Sequence, residues 1–243
     1  ILIFDGYQLS VELKEELASH PLSICISPKV SASGIFKMWL LRSKPNTGNN
    51  GDSGTRLLQS PGYGLLSPPG ARVSEVGGAL VVGVSLGGGS YECDINWLLV
   101  EIRKKSPESD LRILNSPSLI DEKEVGKTRF KEWCPAPWSN YFVGIHLFIG
   151  AGGVLCLEAL ANGIPVIEIN TCENLDKNAE LANPLCYLQV VDGEDCRVAV
   201  EKFLEAVDSG VARREVERFV ESHRGSSLAE DILMFITEER SEK

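Results

Sequence analysis

At 243 residues the chain is long enough for one large α/β domain or two smaller ones, and its 43% hydrophobic and 24% charged content is that of a globular protein. A formal net charge of −10 leaves no basic stripe to neutralise consecutive phosphates, which excludes a general nucleic-acid binder. No run approaches the roughly 18 apolar residues that span a bilayer, and no leader pattern is present, so the expected location is the cytoplasm.

The seven cysteines (Cys25, Cys93, Cys134, Cys156, Cys172, Cys186, Cys196) are odd in number and form no C-x-x-C pair. With the three histidines far apart, they are read as reduced structural thiols, and neither a metal nor a cofactor is expected. The chain opens on Ile1-Leu-Ile-Phe-Asp5 as though in mid-strand, so it is expected to be the later part of a longer protein whose first domain is incomplete.

In chain order, Ile1–Phe4 reads as a short strand, and Ser10 caps a helix to about His20. Leu22–Ile26 is the next strand and Ile35–Leu41 is apolar. The Asn/Gly/Ser-rich stretch Arg42–Gly54 reads as a loop or insertion, and the Pro/Gly-rich Ser60–Gly70 as irregular. The character changes at Ala79. Strand Ala79–Ser85, helix Cys93–Lys105 and strand Asp110–Asn115 follow, then an ambiguous Glu124–Phe130 and a short helix at Pro135–Tyr141. Strand Ile145–Ile149 leads through glycines into helix Gly153–Asn162 and strand Ile164–Ile169. Helix Leu175–Ala182, strand Tyr187–Val191 and helices Glu194–Val207, Val211–His223 and Leu228–Thr237 complete the chain. Strands alternating with helices at this spacing predict parallel, doubly wound sheets. The division is placed near residue 75: residues 1–75 as the remainder of one α/β domain and 76–243 as a second.

Two glycine turns follow strands in that second region, Gly83-Val-Ser85-Leu-Gly87-Gly88-Gly89 and Gly150-Ala151-Gly152-Gly153. In an open parallel sheet, ligands sit beyond the carboxyl ends of the strands, where such turns lie. A helix starting there aims unpaired N–H groups and its positive dipole end at an anion. Neither turn continues into Lys-Ser or Lys-Thr, and neither matches G-x-G-x-x-G, so a P-loop is excluded and a dinucleotide fingerprint is weak. The plain alternative is that the glycines only make tight turns.

Glu158, the single acidic residue between Phe142 and Ile167, suits the paired hydroxyls of a ribose. Equally, it is a good helix former on a wet surface. Glu173-Asn174-Leu175-Asp176-Lys177-Asn178 opens a helix at the same sheet edge, so Asn174 and Asn178 either present amides to a sugar or cap that helix. Tyr7 lies beyond the first strand's carboxyl end, facing an interdomain cleft or simply packed. His146 lies in an apolar strand and reads as a core histidine; His20 and His223 end helices, so no histidine is assigned to catalysis.

The order Asp5-x-Tyr7, Tyr63-x-Leu65-Leu66-x-Pro68, Val84-Ser85-Leu86-Gly87-Gly88, then Ile149-Gly150-Ala151-Gly152-Gly153 with Glu158 and Gly163-x-Pro165 resembles the UDP-sugar hydrolases of pseudaminic acid biosynthesis. Their substrate is a UDP-linked diacetamido-trideoxy-hexose of nonulosonic acid biosynthesis, and they are similar in turn to GT-B glycosyltransferases. The resemblance covers most of the chain and is strongest over residues 145–182. It implies a two-domain GT-B fold that holds UDP in the carboxyl-terminal domain. Gly152 and Gly153 would lie against the diphosphate and Glu158 would hold the ribose hydroxyls; Tyr7 and Asn174 would reach toward the reacting sugar as the catalytic residues, and Gly87, Gly88, Gly150 and Asn178 are the further expected substrate-binding residues. It also implies a Gly-rich, His-bearing segment before Ile1 to activate water. The chain departs from the family at Asn174-Leu175 and at Leu65-Leu66-Ser67-Pro68-Pro69-Gly70.

The expected function is therefore hydrolysis of a UDP-sugar to UDP and free sugar, without a metal. Two alternatives stand beside it: a GT-B glycosyltransferase using a UDP-sugar donor, and an inactive nucleotide-binding fragment. The expected partner is the UDP-sugar alone; the oligomeric state is not legible.

Overall fold

A computed structural model describes residues 2–5, 15–17, 19, 23–26, 38–41, 56–59, 78–86, 95–114, 120–130, 142–169, 182–190, 196–223 and 228–241. Contacts group the chain into two units, one comprising Ile1–Gly64, Asp176–Leu181 and His223–Lys243, the other Leu65–Leu175 and Ala182–Ser222. The sequence division at residue 75 kept everything to residue 243 together.

The first unit holds a four-stranded sheet of β1 (Leu2–Asp5), β2 (Ser23–Ile26), β3 (Met38–Leu41) and β4 (Arg56–Gln59), in that order. All its pairings are parallel. β4 was not anticipated, because Arg-Leu-Leu-Gln is too short to show a period. The expected helix from Ser10 is described over residues 15–17 and at 19, with Leu17 fully buried. The stretches Arg42–Gly54, Ser60–Gly70, Pro135–Tyr141 and most of Leu175–Ala182 lie outside the described residues.

In the second unit the elements are β5 (Val81–Ser85), α1 (Asn96–Lys105), β6 (Asp110–Leu114), α2 (Glu122–Val125), β7 (Arg129–Phe130), β8 (Leu147–Gly150), α3 (Val154–Ala161), β9 (Val166–Ile169), β10 (Tyr187–Val190), α4 (Arg197–Asp208) and α5 (Val211–His223). A last helix, α6 (Leu228–Ser241), groups with the first unit. The ambiguous Glu124–Phe130 thus resolves into the end of α2 and the two-residue β7. Asp121 caps α2, accepting from the Lys123 N–H at 2.9 Å, and the Glu122 carboxylate accepts from the Thr128 hydroxyl at 2.6 Å.

The six strands run in the order β10-β9-β8-β5-β6-β7, every pairing parallel. A sheet covered on both faces needs strands apolar throughout, and β8 and β9 are buried at every position. One face packs Val82, Val84, Leu147, Ile149, Ile167 and Ile169 against Leu98, Leu99 and Ile102 of α1 and Phe203 and Leu204 of α4. Side chains alternate along a strand, so Phe148 and the side-chain position of Gly150 face the other way. There a Cβ on Gly150 would sit 2.7 Å from the Cys156 sulfur of α3, and Phe148 meets Phe142 edge to face at 5.5 Å. Glycine at 150 is what lets α3 lie this close to the sheet.

Candidate functional site

The chain leaves β5 through α1 toward β6 on one side, and leaves β8 through α3 toward β9 on the other. β5 and β8 are nevertheless neighbours, with Ser85 in register with Gly150. This is the point where strand order reverses, and the crevice outside the carboxyl ends of two such strands is where doubly wound sheets bind ligands. Ser85 and Gly150, more than 60 positions apart in sequence, thus lie side by side at the carboxyl ends of the two strands.

At this edge Gly152 and Gly153 both have positive φ, 90° and 73°. Gly153 is the N-cap of α3 with ψ −158°, a backbone region open almost only to glycine. It supplies no side chain to the helix mouth, and no described atom lies within 4 Å of where its Cβ would be. The first turn of α3 carries no acidic residue. The helix closes at its far end with Gly163 N–H to the Leu160 carbonyl at 2.8 Å and Ile164 N–H to the Ala159 carbonyl at 3.0 Å, a Schellman arrangement. Its amino end thus presents backbone N–H groups and the positive end of the helix dipole, with no side chain from the N-cap.

Glu158 is 5% exposed. The reading of it as a wet helix position is set aside, since it lies in the run Cys156–Ala161 that is buried throughout. Asn162, four residues on from Glu158, is also buried and donates from Nδ2 to the Glu158 carbonyl at 2.8 Å. Of the other expected site residues, Gly87, Gly88, Tyr7, Asn174 and Asn178 lie outside the described residues.

Two residues of this edge escaped the sequence reading. Ser85 is 2% exposed, and its hydroxyl is the one buried side-chain polar atom among the described residues with no hydrogen-bond partner. Native structures rarely leave such a group idle. Glu168, fully buried, is in register with Gly150 on the side opposite Ser85. Its carboxylate accepts from the Tyr187 hydroxyl and from Gln189 Nε2 at 3.0 Å. The only sequence signal was an acid inside the apolar run Ile164–Ile169.

His146, expected to be a core residue, is half-buried just before β8, at the opposite edge of the sheet. Its Nδ1 accepts from the Val81 N–H at 3.1 Å. Desolvation, then the charges of Arg112 and Arg213, hold it below the usual histidine range. Cys25, Cys156 and Cys186 are buried and outside any disulfide among the described residues, and burial pushes the Cys186 thiol up to about 11. No group of metal-ligating side chains occurs among the described residues. No described helix is long and apolar enough to cross a membrane.

No protein-family model matches the chain, and no curated protein does. Solved structures do. The pneumococcal O-GlcNAc transferase GtfA, in complex with UDP and GlcNAc, is similar over 93% of this chain at 12% identity and a TM-score of 0.60. Anabaena Alr3699/HepE, in complex with UDP, is similar over 89% of it at 10% identity and a TM-score of 0.59. TarM is similar over 90% at 14% identity and a TM-score of 0.56. The chain spans about half the length of GtfA and TarM, 54% of each, and 72% of HepE. The protein thus has an α/β fold with parallel sheets of the GT-B glycosyltransferase type.

Proposed function

We propose that the second unit binds the UDP moiety of a UDP-sugar and that the protein transfers its glycosyl group to an acceptor hydroxyl. The observation that carries this is the β5–β8 switch point, where Ser85 is in register with Gly150 and the positive-φ Gly153 caps α3 without a side chain. Backbone N–H groups there would hold the diphosphate and stabilise the charge that develops on departing UDP, which needs no metal. Glu158, at the level of the helix's second turn, would accept from the ribose hydroxyls. Gly150, Gly152 and Gly153, with Gly87 and Gly88 of the other turn, would line the diphosphate. Tyr7, Asn174 and Asn178 would face the sugar. The likeness to the O-GlcNAc transferase GtfA in complex with UDP and GlcNAc, and to HepE in complex with UDP, favours this reading.

A second reading is hydrolysis, water taking the acceptor's place, with a diacetamido-trideoxy-hexose as the sugar. The motif resemblance over residues 145–182 favours it. Product analysis after incubation with candidate UDP-sugars separates the two: a glycoside supports transfer, and free sugar with UDP supports hydrolysis. Absence of UDP binding in calorimetry overturns both.

A further inference from the structure

His146 and Val81 join the amino ends of β8 and β5 through two hydrogen bonds. The His146 main-chain N–H donates to the Val81 carbonyl at 2.8 Å, and the Val81 N–H donates to the imidazole Nδ1 at 3.1 Å. The second bond exists only while Nδ1 carries no proton, so the neutral ring bears its hydrogen on Nε2. An imidazolium has donors at both nitrogens and leaves the Val81 N–H without this acceptor.

The charged surroundings oppose protonation. On β6, Arg112 is held by Asp110 at 3.1 Å and donates to the Val143 carbonyl at 3.2 Å. On α5, Arg213 is held by Glu217 at 3.5 Å. Both carboxylates are thus engaged with the arginines, and the cationic charge of Arg112 and Arg213 adds to burial in disfavouring imidazolium.

We propose that His146 is an acid-sensitive latch: as a neutral ring it ties the amino ends of β5 and β8 together, and as imidazolium it releases Val81 and loosens that end of the sheet. The latch acts on the two strands whose other ends carry Ser85 and Gly150. Its direction follows from linkage. The folded state resists the proton and the unfolded chain accepts it near the ordinary histidine value. The contribution is therefore complete above about pH 6.5 and is lost as pH falls toward the folded value.

The test is backbone amide exchange at Val81 at about pH 7.5 and about pH 5.5, read as protection factors so that the intrinsic pH dependence cancels. The full chain is compared with His146→Asn, whose Oδ1 stands in for Nδ1 and does not titrate. In the unaltered chain Val81 protection falls roughly five- to tenfold on acidification, the equivalent of losing one ordinary hydrogen bond. In the variant it holds. Equal protection at both pH values, or an equal fall in the variant, overturns the latch. Ring nitrogen NMR on the unaltered protein supplies an independent check: a proton on Nδ1 at neutral pH overturns it as well.

Discussion

Gly153→Ala isolates what the backbone contributes at the mouth of α3. The residue has φ 73° and ψ −158°, and no described atom lies within 4 Å of its missing Cβ. The substitution therefore adds strain without a clash. Holding alanine in this region costs about 1–3 kcal/mol, and the stiffer unfolded chain offsets part of that, for a net loss of about 1–2 kcal/mol. Gly126→Ala is the matched control. Its φ of 85° and ψ of −176° belong to the same region, it too has nothing within 4 Å, and it lies before β7, away from the carboxyl edge. Both variants are measured by urea unfolding and by calorimetric titration with UDP. Similar stability losses are expected, with UDP affinity reduced about tenfold or more in Gly153→Ala and unchanged in Gly126→Ala. If Gly153→Ala loses stability yet binds UDP as before, the helix mouth is not the anion site. If it loses neither, the turn does not depend on glycine's conformational range.

Glu158→Ala is expected to weaken UDP binding by about 1.5–3 kcal/mol, the value of hydrogen bonds to a charged group; unchanged affinity would remove Glu158 from the ribose site. Tyr187→Phe removes the hydroxyl that donates to the buried Glu168 carboxylate beside Gln189 Nε2 and is expected to cost about 1–3 kcal/mol in urea unfolding. A neutral result there would show that the hydroxyl adds nothing to the fold. Cys186, buried and raised to about 11, is expected to resist alkylation in the native state at mildly alkaline pH while half-buried Cys196 reacts; mass mapping of the labelled peptides decides it.

Local chemistry wrote much of this fold into the chain. The apolar run at β8, the glycines after it and the regular pattern of α3 announce strand, turn and helix within a short segment, because each depends only on neighbours in sequence. The alternation of such units announced parallel sheets. Strand order was not legible, because pairing β5 with β8 across an intervening α1, β6, α2 and β7 depends on long-range packing that no local period encodes. For the same reason the sequence left Glu158 undecided between a wet surface and a buried position, and left the acid in β9 without a partner. Only the register that lines up Ser85, Gly150 and Glu168, and the close approach of α3 that glycine at 150 permits, brings those groups to one edge.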